Sequence, residues 1–189
     1  MSLARARWCT HVNHVAAPPD LRGWLIDRRS LTAKLVAASE RFRVRRLQQS
    51  PAVCLGDEYA VVALPRPQRV HQREVLLECD GRAVVYAHTI LPLHANAYDW
   101  PFFATLGERS LGTTLFGDPR VVRGGMQYAR LSSRHPLVRR AVAAGCVLPQ
   151  VSYARRCLYR RRQGLLLVTE LFLPAVLELR PGPQKESTQ

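Results

Sequence analysis

Glu170 interrupts the apolar run from Leu165 to Pro174, in which Thr169 is the only other polar side chain. Gly164 and Pro174 bracket the run, so it reads as a strand, and alternation places Glu170 on the face of Leu166, Val168 and Phe172. A carboxylate there would be poorly hydrated. An unpaired buried charge is costly, so the chain must supply a cation, a proton or a ligand. Arg73 has a similar setting. It lies in Val70 to Cys79, which with Arg82 to Leu91 flanks Asp80-Gly81, a dipeptide that favours a type I′ hairpin turn. A two-residue loop pairs residue 79 with 82, so Arg73 is expected directly opposite His88, sharing a face with Val75, Leu77, Val84 and Tyr86. Pattern alone leaves two readings open for Arg73 and Glu170: an ion pair that links strands, or a site for a ligand.

Other elements must position these two strands. Pro18-Pro19-Asp20 opens a first helix through Trp24 and Leu25 with Asp20 as N-cap, and Ser30 caps a second bearing Leu31, Leu35 and Ala38. Phe42 to Leu47 alternates apolar and basic residues, as a strand does. Ser50 to Gln68 carries three prolines and reads as an irregular flap or lid with one short strand at Tyr59 to Leu64. Trp100-Pro101 begins a helical stretch that halts near Leu106-Gly107, and Ser110 to Phe116 forms a second short helix. Arg120 to Ser132 is a strand bulged at Gly124-Gly125, and Pro136 to Ala144 a helix closed by Gly145. Val151 to Arg162 and Leu165 to Leu173 make a last hairpin across Gln163-Gly164. Strands grouped around hairpins imply an α+β fold, a single antiparallel sheet with short inserted helices on one face. Residues 1–179 are expected to form one domain, and the polar tail 180–189 to be disordered.

The chain has 189 residues, 47% of them hydrophobic, which suits one domain with a substantial core and excludes wholesale disorder. No apolar stretch reaches membrane-spanning length and the start lacks a secretory apolar core, so a soluble, cytoplasmic protein is expected. Five scattered cysteines without a Cys-x-x-Cys spacing suggest neither a disulfide framework nor a zinc site. His11 and His14 have no ligating companion nearby, and no metal is assigned. A net charge of +14 would attract phosphate, nucleic acid, an anionic membrane or a small anionic substrate, without choosing among them. The basic runs Arg41 to Arg46 and Arg155 to Arg162 read mostly as solvated faces. Charge alone supports nucleic-acid binding, with no aromatic-interleaved basic motif, and neither nucleic acid nor membrane is expected as a partner. Ser132-Ser133-Arg134-His135 sets hydroxyls beside an imidazole but lacks the glycines of a nucleophile elbow, and capping by Ser133 explains it better. Cys157 has no identified base.

Three stretches together carry a resemblance: Arg73-Glu74-Val75-Leu76-Leu77 ahead of Asp80-Gly81; Leu106-Gly107 to Ser110-Leu111-Gly112-Thr113-Thr114-Leu115-Phe116; and Leu167-Val168-Thr169-Glu170-Leu171-Phe172-Leu173-Pro174. In order and spacing they resemble the chorismate pyruvate-lyase family. The likeness runs from about Trp24 to Pro174 and is most specific in the last strand. It implies a monomeric, cofactor-free lyase that converts chorismate to 4-hydroxybenzoate and pyruvate, the opening step of ubiquinone biosynthesis, with its ligand enclosed beneath flaps. It places the family's carboxylate-binding arginine on Arg73, the acid near the phenolic hydroxyl on Glu170, and ligand-contacting positions on Leu111 and Leu31, where the family carries methionine. Apolar neighbours would favour a protonated Glu170, able either to pass a proton toward the departing enolpyruvyl group or only to position the substrate.

The family pattern has a second arginine where this chain has His88. His88 therefore reads either as a pH-dependent carboxylate contact or as a buried strand histidine, and Arg155 or Arg156 could share the enolpyruvyl carboxylate. The alternative from another class is a non-catalytic sensor of aromatic acids, since effector domains of some regulators resemble this lyase fold. The twenty or so residues before Trp24 are too few for a helix-turn-helix module, which counts against it.

Overall fold

The computed structural model of the chain describes residues 5–95 and 98–179, so the tail expected to be disordered lies outside the described residues. Its centre is a six-stranded, fully antiparallel sheet in the order β1-β2-β3-β6-β5-β4. The strands are β1 (Phe42–Val53), β2 (Arg69–Cys79), β3 (Arg82–Pro92), β4 (Val121–Ser132), β5 (Val151–Arg161) and β6 (Gly164–Phe172). The α+β class and single sheet are as the sequence implied. β6 returns to the middle between β3 and β5, which brings Glu170 to the centre of the sheet. β1 runs on through Pro51, well past Leu47, because it is an edge strand whose outer amides need no ladder partner.

The β2–β3 turn is of the expected kind, with Asp80 at φ 52° and Gly81 at φ 79°. The register beyond it is not. Leu77 pairs with Val85 and Glu78 with Ala83, so Val84 is an extra residue on β3. A one-residue slip exchanges the faces of everything beyond it. Arg73 consequently pairs with Thr89 and Glu74 with His88, correcting the expectation that Arg73 faces His88. The last hairpin turns at Arg162 and Gln163, one residue earlier than expected, with Arg162 at φ 53° and Arg161 paired to Gly164.

Helices cover both faces, where one was expected. On one face lie α1 (Pro19–Ile26), α2 (Leu31–Ala37) and α3 (Leu111–Gly117), with Leu25 and Leu35 packed on Val75, Leu77 and Ala87, and Leu111 and Leu115 packed on Cys157, Tyr159 and Leu166. In α1 the cap is Pro18 and Pro19 takes the first helical position, leaving Asp20 inside the first turn, where the exposed amides favour a negative charge. Trp100, Phe103 and Leu106 are all buried at a spacing of three, and isolated three-residue turns such as Phe103 N–H to Trp100 C=O replace the expected helix there.

On the opposite face α4 (Pro136–Ala143) sets Leu137, Val138 and Ala141 on Leu131, Ala154 and Leu171. Burying side chains such as Leu131, Leu137 and Leu171 contributes about 1.5–3 kcal/mol each. Residues 54–64 are a series of turns, not a strand, and Cys54, Val62 and Leu64 pack on Val70, Ile90 and Leu167 of this same face. Among the described residues no helix is long and apolar enough to cross a membrane.

Candidate functional site

Arg73 is 2% exposed, and no ion pair joins it to a carboxylate among the described residues. Its Nη2 donates to the carbonyls of Gly107 and Arg109 at 3.0 Å each, while Nε has no partner among the described residues. Burial, and secondarily the like charge of Arg46, push its pKa down to about 10, so the guanidinium remains charged at neutral pH. A buried cation with no ion-pair partner among the described residues is costly unless a ligand supplies the anion. The turns before α3 orient it, because the carbonyls they present are those that bind its fork.

Glu170 opens into the same cavity as Arg73, and Leu31 of α2 and Leu111 of α3 form part of its helical side. The four residues the resemblance marked, Leu31, Arg73, Leu111 and Glu170, thus line one cavity. The registers set Arg73, Thr89, Val168 and Cys157 in one row across the sheet and Ala87, Glu170 and Arg155 in the next row on that face. Two strand spacings across and two residues along separate the Cα atoms of Arg73 and Glu170 by roughly 12 Å. Side chains reaching inward from both ends leave room for a small ring between them.

Glu170 does not stand alone among apolar groups. Arg155, opposite it on β5, donates from Nε to Glu170 Oε2 at 2.5 Å, and the same guanidinium donates through Nη1 to the carbonyls of Trp24, Leu25 and Asp27 at the end of α1. The carboxylate therefore accepts a charge-assisted hydrogen bond from a cation on the neighbouring strand. Arg155 thus commits Nε and Nη1 to these partners. Arg156 points to the opposite face, where its guanidinium stacks 4.2 Å from the Trp8 ring centroid and donates to Gln127 and the Asp57 carbonyl. Arg156 is therefore out of reach of an enolpyruvyl carboxylate in the cavity, which corrects the expectation for that residue, while Arg155 lines the cavity with its charge paired to Glu170.

His88 is likewise on the far face. It is fully buried between Glu74, with Nδ1 3.2 Å from Oε1, and Glu58, whose Oε1 lies 3.1 Å from Nε2 but off the hydrogen-bond line. Burial pulls its pKa down, but the two carboxylates outweigh that and raise it to about 9. Arg140 of α4 completes the network by donating to Glu74 and Gln72. The segment expected to be a lid is anchored here through Glu58, away from the cavity. His135, not Ser133, caps α4, accepting from Leu137 N–H with its Nε2 directed at Asp57. The Cys157 thiol is a cavity wall, directed at the Gly124 carbonyl at 3.5 Å.

The charged wall of the cavity extends beyond the residues the sequence marked. Arg123 of β4 reaches the cavity beside Tyr159, and the signal that could have found it is the Gly124-Gly125 bulge that follows it. Among the described residues no three His, Cys, Asp or Glu side chains gather as a metal site.

A model of the family described as chorismate lyase matches residues 2–179. A probable chorismate pyruvate-lyase of Ralstonia nicotianae is 48% identical over 164 residues, covering 85% of this chain and 84% of its own. One from Cupriavidus metallidurans is 46% identical over 190 residues, covering 97% and 87%. Among solved structures, PhnF from Mycobacterium smegmatis aligns with a TM-score of 0.54 at 17% identity, covering 79% of this chain and 65% of that one. The C-terminal domain of the histidine utilization repressor from Pseudomonas syringae aligns with a TM-score of 0.51 at 8% identity, covering 79% and 99%. At such identities these two describe the fold alone. With the match running from the N-terminal turns through β6 and the relatives aligned over nearly their whole length, the chain belongs to the chorismate lyase family.

Proposed function

We propose that the protein converts chorismate to 4-hydroxybenzoate and pyruvate, the opening step of ubiquinone biosynthesis, without metal or redox cofactor. The observation that carries this reading is Arg73, a buried cation lacking an anion, facing the same cavity as Glu170. Its planar fork can hold the ring carboxylate through paired, charge-assisted hydrogen bonds. Glu170, kept as an acceptor by Arg155, takes a hydrogen bond from the ring hydroxyl. Leu111 contributes backbone at the start of α3, where Ser110 supplies no side-chain cap, and Leu31 closes the ring from α2. Thr32 Oγ1 and Ser110 Oγ, 2.5 Å apart, tie the starts of these two helices together over the ligand.

The reaction breaks the bond between the ring and the ether oxygen and removes hydrogen from the ring carbon bearing the hydroxyl. The ring becomes aromatic. The enolpyruvyl methylene gains a hydrogen and leaves as pyruvate, so atoms balance within the substrate. With aromatisation driving the step, the protein has chiefly to orient the substrate and stabilise charge. A Glu170 carboxylate held by Arg155 supports a positioning role over proton donation. Adding chorismate to the purified protein should yield 4-hydroxybenzoate without added metal. Saturable binding without product would replace the lyase by an aromatic-acid sensor of the same fold, and absence of binding would remove both.

A further inference from the structure

We infer that Arg123 is the second carboxylate-binding residue of the cavity, holding the enolpyruvyl carboxylate of the substrate while Arg73 holds the carboxylate on the ring. This inference rests on the lyase reading and extends it to a residue and a selectivity for dianions over monoanions.

The argument starts from β4. Arg123 pairs with Tyr159 and Met126 with Cys157, so three steps on β4 match two on β5. In a regular strand residues three apart face opposite sides; the extra residue puts both on the cavity side. Gly124 makes this possible, since a Cβ there would stand 2.9 Å from the Leu158 carbonyl oxygen, a backbone atom that cannot swing away. The bulge therefore serves to aim Arg123 inward from an edge strand.

Its surroundings fit anion binding. Nη1 donates to the Arg28 carbonyl in the α1–α2 connection, and the guanidinium lies 5.3 Å from the Phe116 ring centroid on α3. These contacts orient the fork without neutralising it. No ion pair joins Arg123 to a carboxylate among the described residues. Of the other guanidiniums at the cavity, Arg155 is paired with Glu170 and Arg29 with Asp27. Among the described residues Arg73 and Arg123 are left without an ion-pair partner of their own, and two such positive charges suit a dianion.

The placement also suits a substrate whose carboxylates flank a hydroxyl. Glu170 is on β6, Arg73 is two strands away on β2, and Arg123 is two strands away on β4, on the other side. A ligand with its hydroxyl at the central acid can reach a guanidinium on either flank. 4-Hydroxybenzoate, with one carboxylate, has nothing to offer Arg123 when its carboxylate is on Arg73.

The test compares the two ligands. In Arg123→Met the KM for chorismate should rise about 10- to 100-fold, the range of one charge-assisted hydrogen bond, while the Kd for 4-hydroxybenzoate by calorimetry stays within about threefold. Arg123→Lys should recover part of the loss for chorismate only. Retained 4-hydroxybenzoate binding establishes that the variant is folded. A wild-type KM in Arg123→Met, or equal losses for both ligands, would overturn the assignment. Failure of the unaltered protein to turn over chorismate would overturn the lyase reading itself, and is seen before any variant is made.

Discussion

Arg155 and Glu170 face each other across β5 and β6, and the guanidinium that grips the carboxylate at 2.5 Å also gathers three carbonyls from the end of α1. One buried side chain thus locks a helix end to the sheet and sets the direction of the acid. Arg155→Met should lower unfolding free energy by about 3–5 kcal/mol in denaturant titrations, because it strands a partly buried charge and unpaired carbonyls. It should also lower kcat more than KM. A variant as stable as the parent would show that the pair is not a structural link.

Glu170→Gln keeps shape but accepts less strongly and leaves Arg155 without its anion. Its kcat should fall about 100-fold or more, in the range of lost acid–base or charge-assisted positioning. 4-Hydroxybenzoate binding should weaken less, since the Arg73 contact remains. Turnover within threefold of the parent would remove Glu170 from the chemistry.

Arg73→Lys retains charge but not the planar fork. KM for chorismate and Kd for 4-hydroxybenzoate should rise together by about 10- to 100-fold, because both ligands present a ring carboxylate. This parallel loss is the opposite of the split expected at Arg123. If 4-hydroxybenzoate affinity is unchanged, the ring carboxylate is bound elsewhere.

His88 should make stability depend on pH. Its folded pKa is raised from 6.5 to about 9, so its contribution is present in full below about 6.5 and is lost as pH climbs toward 9. Melting temperature should therefore fall between pH 6.5 and 9, as the imidazolium between Glu58 and Glu74 gives up its proton. His88→Gln should flatten that slope while leaving the cavity intact, since His88 lies on the other face. A slope unchanged in His88→Gln would assign it to other groups.

Gly124→Ala should disturb the bulge, since its Cβ would meet the Leu158 carbonyl oxygen at 2.9 Å. A loss of about 1–3 kcal/mol is expected from such overpacking. Chorismate affinity should suffer more than 4-hydroxybenzoate affinity, and the comparison is made by calorimetry. Equal losses for both would mean that the bulge does not aim Arg123.

Much of this architecture was legible locally. Asp80-Gly81 demanded a tight hairpin, Pro136 and Gly145 delimited α4, Ser30 capped α2, and Glu170 in an apolar strand required a partner. Each follows from backbone preferences or from the cost of burying charge, which act over a few residues. The identity of that partner was not legible. Arg155 and Arg156 are adjacent and chemically alike, yet one enters the cavity and the other stacks on Trp8, a choice made by which face of β5 meets β6 in register.

By itself the chain determined that strands of period two would pair in hairpins, and that a guanidinium and a carboxylate would sit in dry surroundings. The tertiary structure decided which charges meet. Two single-residue insertions, Val84 on β3 and the bulge after Arg123 on β4, send His88 away from the cavity and bring Arg123 into it. The physical reason is parity. An extra residue exchanges the faces of all that follows, and whether a strand accepts one depends on packing against neighbours that lie far away in sequence.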